Sequence, residues 1–126
     1  MTKRILIVED QEDNRAIMRD LLNTAGYNLI EAVDGEEGVR LAQSERPDLI
    51  LMDIQLPILD GYEATRRIRS LAELKSIPII AVTSYALSGD EAKALAAGCD
   101  SYVAKPFSPR ELLAKVREFL PKAERP

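Results

Sequence analysis

Asp48-Leu49-Ile50-Leu51-Met52-Asp53-Ile54-Gln55-Leu56-Pro57 is the stretch that decides how this chain folds. Leu49 to Met52 is an unbroken apolar run, the pattern of a strand covered by helices on both faces. The run ends abruptly in a carboxylate. An ionised group without a partner is too costly to bury. Asp53 is therefore expected to leave the core and emerge at the carboxyl end of its strand, where open α/β sheets hold their ligands. Pro57 and Gly61 then break the chain before the next helix.

The same grammar repeats on either side. Arg4 to Val8 is a second two-faced apolar run, and it too ends in acids, Glu9 and Asp10. The polar stretch Gln11 to Arg15 leads into a helix whose apolar positions Ile17, Met18, Leu21, Leu22 and Ala25 have helical spacing, with Gly26 as its stop. Leu29 to Val33 reads as a strand. Asp34 followed by Glu37 opens a helix carrying Val39, Leu41 and Ala42, which Pro47 ends. Tyr62 to Leu71 reads as a helix, with Arg66, Arg67 and Arg69 on a solvated face, and Leu71 to Ser76 as a loop. Pro78 to Val82 is a further buried strand, ending in Thr83 and Ser84. Ser88 with Glu91 opens an alanine-rich helix that stops at Gly98. Asp100 to Ala104 is a short strand ending at Lys105-Pro106. Ser108, Pro109 and Glu111 supply an N-cap, a first-turn proline and a capping-box partner for a last helix carrying Leu112, Leu113, Val116, Phe119 and Leu120. Residues 121–126 read as a polar tail. Five strands alternating with five helices through short links specify a parallel sheet with helices on both faces, one α/β domain over residues 1–126.

Composition narrows the function. The 126 residues are 46% hydrophobic and 30% charged, as in a soluble globular protein. A net charge of −4 argues against nucleic acid as a partner. No apolar run approaches a membrane span and no signal peptide precedes the first strand, so a cytoplasmic location with no membrane contact is expected. Cys99 is the sole cysteine, which excludes an internal disulfide and suits a small buried side chain. There is no histidine, so His-based metal sites, Ser-His triads and a phosphohistidine on this chain are all excluded.

Where the polar residues fall is the decisive pattern. Four of the five strands end in reactive groups: Glu9-Asp10, Asp53, Thr83 and Lys105. In a parallel sheet those ends share one edge, so residues far apart in sequence converge in one crevice. Glu9, Asp10 and Asp53 would crowd negative charge and raise one another's pKa unless a cation neutralises them. Removing one of them should then stabilise the metal-free protein. Oxygen ligands without His or Cys favour a hard ion such as Mg²⁺. A carboxylate so placed can attack phosphorus and become an acyl phosphate. The charge on the phosphoryl oxygens would then be met by Mg²⁺, the Lys105 ammonium and the Thr83 hydroxyl.

Val8-Glu9-Asp10, Asp53 to Gly61, Ala81-Val82-Thr83-Ser84 and Lys105-Pro106-Phe107 together resemble the signature of receiver (CheY-like) domains of two-component response regulators. The resemblance spans essentially the whole chain in the right order. It implies a flavodoxin-like (βα)5 fold with strand order 2-1-3-4-5. It further implies that Asp53 accepts a phosphoryl group from the phosphohistidine of a sensor histidine kinase or histidine phosphotransfer protein, so that the chain is a phosphoacceptor signalling protein rather than an enzyme, aiding only its own phosphorylation and slow autodephosphorylation. Glu9, Asp10, Asp53 and the backbone carbonyl of Gln55 would hold Mg²⁺, with Glu9, where many members carry aspartate, reaching it directly or through water. Thr83 and Tyr102 would switch on phosphorylation, Gln55 and Tyr85 would flank the phosphate and control water access, and the Lys105–Pro106 bond would be cis. With no output domain after the last helix, output would be a protein contact on the helix 4–strand 5–helix 5 surface, from a monomer or a phosphorylation-linked homodimer. Within the family, the Met-Thr-Lys start, the Glu9-Asp10 pair and Asp53 to Pro57 look most like the single-domain DivK-like cell-cycle regulators.

Other classes fit less well. A phosphatase of the haloacid-dehalogenase type needs a second acid two residues after the nucleophile, and that position is Gln55. A flavodoxin-like electron carrier would want a phosphate loop after the first strand, where Glu9-Asp10-Gln11-Glu12-Asp13 would repel it. An unphosphorylated docking module is disfavoured by the intact acid, threonine and lysine set.

Overall fold

The computed structural model describes residues 2–83 and 90–120. The elements follow one another as β1 (Arg4–Val8), α1 (Glu12–Thr24), β2 (Asn28–Ala32), α2 (Gly35–Glu45), β3 (Leu49–Asp53), α3 (Gly61–Ser70), β4 (Ile79–Thr83), α4 (Asp90–Ala97), β5 (Ser101–Ala104) and α5 (Pro109–Phe119). The strands form one parallel sheet in the order β2-β1-β3-β4-β5, as the resemblance implies. The expected strand bounds hold to within a residue: β2 starts at Asn28, β3 takes in Asp53, β4 runs from Ile79 to Thr83, and β5 begins at Ser101.

Period-two alternation splits each apolar run between two cores. Leu6, Val8, Ile50, Met52 and Ala81 pack with Ala42, Ala64 and Ile68 on the side of α2 and α3. Ile5, Ile7, Leu49, Leu51 and Val82 pack with Met18, Leu22, Leu112 and Val116 on the side of α1 and α5. Every residue of β3 and β4 is buried, and each such Leu, Ile or Met side chain stabilises the fold by roughly 1.5–3 kcal/mol. That is why neither strand shows an alternating polar face.

Local signals set the helix ends. Asp34 accepts from the Glu37 N–H at 2.7 Å, but Glu37 reaches back to the Val33 N–H rather than to its N-cap residue. Ser108 and Glu111 form the full reciprocal box. The helix start read at Ser88 lies outside the described residues. The loop expected from Leu71 to Ser76 contains a 3-10 turn, Ala72–Leu74, which buries Leu74. Ile17, read among the apolar stripe of α1, is 57% exposed, because Met18 and Leu22 already fill the inner face.

Arg69 is the clearest correction to the sequence reading. Arg66 and Arg67 do lie on a solvated face, but the Arg69 side chain is only 19% exposed. Its guanidinium donates to the carbonyls of Gly98 (2.8 Å), Ile77 (2.6 Å) and Lys75 (3.0 Å) and pairs with Asp100 at 2.7 Å. Asp100 in turn accepts from the Ile79 N–H. One planar fork thus ties α3 to the entries of β4 and β5 at the amino edge of the sheet.

Gly61 fixes the opposite edge. A Cβ there would lie 2.2 Å from the Asp53 carbonyl oxygen and 2.7 Å from the Ile54 Cα, both backbone atoms that cannot swing aside. Close approach rather than backbone freedom is what requires glycine. Gly61→Ala should destabilise the domain by about 1–3 kcal/mol, read from the urea midpoint, because α3 must back away from the end of β3.

Candidate functional site

The carboxyl edge of the sheet gathers the residues the sequence singled out. Asp53 ends β3, Thr83 ends β4, and Glu9 and Asp10 follow β1 directly. Thr83 pairs in register with Ala104, and the Thr83 carbonyl accepts from the Lys105 N–H at 2.7 Å. That bond turns Lys105 back across the edge, ahead of a cis Lys105–Pro106 peptide. The Lys105 ammonium donates to Glu9 Oε1 at 2.8 Å and to Asp53 Oδ2 at 3.3 Å. Carboxylate oxygens of Glu9, Asp10 and Asp53 lie within 4.8 Å of one another.

Burial within this cluster differs from the sequence-based expectation. Asp53 does not emerge from the core: it is 3% exposed, and Glu9 is 0% exposed. A lone charge is costly to bury, but neither group is alone. Lys105 serves both, and backbone N–H groups complete them, with Gln55 donating to Asp53 Oδ1 and Gln11 to Glu9 Oε2, each at 3.1 Å. Asp10 is the exposed member. Asp10 shares the crowding but faces water, which screens its charge, so the stabilisation expected from removing one acid should be largest at the buried Asp53.

These surroundings act on proton affinity. Burial first, and the Glu9 charge second, push the Asp53 carboxyl up to about 7, against the pull of Lys105 and the Gln55 N–H. Burial pushes Lys105 down, but its hydrogen bond to Glu9 and the charges of Asp53 and Glu9 outweigh that and leave it raised. Lys105 thus stays a cation while Asp53 sits at the boundary between carboxylic acid and carboxylate. Such a carboxylate gains most from any cation that reaches it, and the oxygen-only donor set suits a hard one.

The remaining residues surround this centre. Thr83 is 2% exposed at its strand end. Tyr102 is half-buried against the core on the side of α4. Gln55 is exposed just past Asp53. Tyr85 lies outside the described residues. Beyond Gln55, Ile58 holds a left-handed backbone (φ 70°) while 75% exposed, a conformation costing a β-branched residue about 1–2 kcal/mol. Ile58 is the middle of a three-residue turn closed by the Leu59 N–H on the Pro57 carbonyl at 2.7 Å, and only a glycine or asparagine there would have signalled it in the sequence.

A parallel sheet in this order, with an acid cluster and a lysine at its carboxyl edge, defines a receiver-type domain. The family model described as the response regulator receiver domain matches residues 5–117, and the chain belongs to that family. It is 43% identical over 120 residues to the polar-differentiation response regulator DivK of Brucella ovis, covering 95% of this chain and 98% of the relative. Among solved structures it is similar to the receiver domain of a sensor histidine kinase of Pseudomonas aeruginosa, crystallised with a magnesium ion coordinated in its active site cleft. That match has a TM-score of 0.88 at 42% identity, covering 94% of this chain and 98% of that one. The chemotaxis protein CheY4 of Vibrio cholerae superposes with a TM-score of 0.90 at 29% identity, covering 95% of this chain and 100% of that one. No described helix is long and apolar enough to cross a membrane.

Proposed function

We propose that Asp53 is the phosphoacceptor of a Mg²⁺-dependent phosphorelay, taking a phosphoryl group from a phosphohistidine on a sensor histidine kinase or a histidine phosphotransfer protein. An Asp53 carboxylate oxygen attacks phosphorus as the phosphorus–nitrogen bond breaks. The electron pair of that bond returns to the imidazole nitrogen, which takes up a proton, and Asp53 is left as an acyl phosphate. The observation that carries this reading is a buried carboxylate with a lysine ammonium 3.3 Å away and two further acids beside it, all on one sheet edge.

Asp10, Asp53 and the Gln55 carbonyl are the groups suited to hold Mg²⁺. Glu9, whose two oxygens already face Lys105 and the Gln11 N–H, suits contact through water. Bound there, Mg²⁺ supplies positive charge to the transferring phosphoryl oxygens. Lys105 hands its ammonium from Glu9 and Asp53 to a phosphoryl oxygen, and the Thr83 hydroxyl donates to another. Tyr102 follows Thr83 inward, a two-state repacking, while Gln55 and Tyr85 tune access of water. Output is a protein contact on the α4–β5–α5 face, where Tyr102, Ala104, Glu111 and Lys115 line a depression of about 360 Å³. The working species is a monomer or a phosphorylation-linked homodimer, with neither nucleic acid nor membrane as partner.

Intact mass after incubation with acetyl phosphate and Mg²⁺ tests this. The expected result is a gain of one phosphate that needs Mg²⁺, survives acid, is lost to hydroxylamine, and is absent in Asp53→Asn. No gain from acetyl phosphate or from phosphoramidate, together with no Mg²⁺ binding, would overturn the phosphoacceptor reading.

A further inference from the structure

Arg15 lies outside the acid–lysine cluster, yet it is bonded to the backbone that carries it. Its side chain is 11% exposed on α1. Nη1 donates to the Glu9 carbonyl at 2.9 Å, Nε donates to Glu31 Oε1 at 2.9 Å, and Nη2 pairs with Glu12. Glu31 belongs to β2, paired in register with Ile7 of β1, and is also held by Arg19 at 2.8 Å. One guanidinium therefore spans from the outer strand of the sheet to the link between β1 and α1.

That link consists of Glu9, Asp10 and Gln11. Its other anchors include the Glu9 N–H on the Ala32 carbonyl at 3.0 Å, the Gln11 N–H on the Glu9 carboxylate, the Lys105 ammonium on Glu9 Oε1 and the Arg15 N–H on the Gln11 carbonyl at 2.9 Å. Asp10 has no anchor of its own: its side chain is exposed and makes no hydrogen bond or ion pair among the described residues. Its direction is inherited from the backbone, and the Glu9 carbonyl belongs to the peptide that joins Glu9 to Asp10. Rotation of that peptide would sweep the Asp10 carboxylate away from Asp53.

We infer that Arg15 is a positioning residue for the cation site, clamping the Glu9–Asp10 peptide against Glu31 so that Asp10 presents its carboxylate toward Asp53. The inference rests on the reading of this cluster as a Mg²⁺ site. It makes a prediction opposite in sign to that of charge alone. A guanidinium near a bound cation repels it, so deleting Arg15 as a mere surface charge would tighten binding. Deleting it as a clamp loosens binding, as loss of outer-shell support for a metal ligand does.

Calorimetric titration of the purified chain with Mg²⁺ at low ionic strength separates the two. Arg15→Ala should bind Mg²⁺ about tenfold more weakly than wild type. Arg15→Lys keeps the charge but has no planar fork to span Glu31 and the Glu9 carbonyl together, so it should show a smaller loss in the same direction. Arg19→Ala removes the same charge and a contact to the same Glu31 but nothing from Glu9, and should bind as wild type does or tighter. Unchanged or tighter binding by Arg15→Ala overturns the inference, and so does an equal loss in Arg19→Ala. Should Arg15→Ala fail to fold, Arg15→Lys carries the test, and wild-type affinity in it is the overturning result. Wild type that binds no Mg²⁺ would instead sink the metal site itself, and this inference with it.

Discussion

Lys105→Met should destabilise the metal-free domain by about 3–5 kcal/mol at pH 8, and by clearly less at pH 5. The magnitude is that of removing one partner from a buried ion pair, and here two carboxylates lose the same partner. Glu9 at 0% and Asp53 at 3% exposure cannot turn to water instead. The pH dependence follows from Asp53. Its folded pKa is about 7, with Lys105 among the groups pulling it down, so without the lysine it rises further. At pH 5 Asp53 is an uncharged acid with or without the lysine, so its loss of a cation costs little there. At pH 8, above the wild-type folded pKa, the loss of the lysine's pull on Asp53 adds to the cost of the folded state. Urea titrations in EDTA at the two pH values read this directly, and an equal loss at both would show that the charge on Asp53 takes no part in it.

Asp53→Asn should be more stable than wild type in EDTA, with the gap opening as pH rises. An acid whose folded pKa lies above its unfolded value binds more protons when folded, so stability falls with rising pH across the window between the two. For Asp53 that window runs from about 3.8 to about 7. Below it Asp53 is protonated in both states and resembles asparagine, so the two proteins should match. Above it wild type bears the full cost of an ionised buried carboxylate, at most about 4 kcal/mol at 1.36 kcal/mol per unit. Asparagine keeps an acceptor for Lys105 and removes the repulsion from Glu9. Thermal melts from pH 4 to pH 8 should therefore converge at the acid end and diverge at the alkaline end. Saturating Mg²⁺ should narrow the gap by stabilising only the protein that binds it. Parallel curves would mean that Asp53 ionises in the folded state as easily as in the unfolded chain.

The parts legible in the sequence were those governed by period and punctuation. Leu49 to Met52 and Arg4 to Val8 could only be two-faced strands, and their terminal acids had to share an edge once the sheet was parallel. That reasoning alone put Asp53, Asp10, Thr83 and Lys105 on the same edge, where the structure has them. The arginines were not. Arg69 and Arg15 sit at helical positions where solvated side chains are the rule, and what holds them includes backbone carbonyls, several for Arg69 and that of Glu9 for Arg15. Carbonyls have no residue identity, so nothing in the one-letter code marks where they converge. Asp53 was misjudged for a related reason: its burial depends on a lysine 52 residues further along the chain, and spacing alone gives no distance.

The site's ion pairs join residues 96 and 52 positions apart, and this has a consequence for kinetics. In the unfolded chain Glu9, Asp53 and Lys105 are strangers. Their attraction and repulsion begin only when the first, third and fifth strands have come into register. Loops of that length close late because their closure entropy must first be overcome. Charge changes at this edge should therefore leave the refolding limb of a chevron nearly still and move the unfolding limb. The lifetime of the native state, rather than the speed of reaching it, is where this cluster of charges is felt.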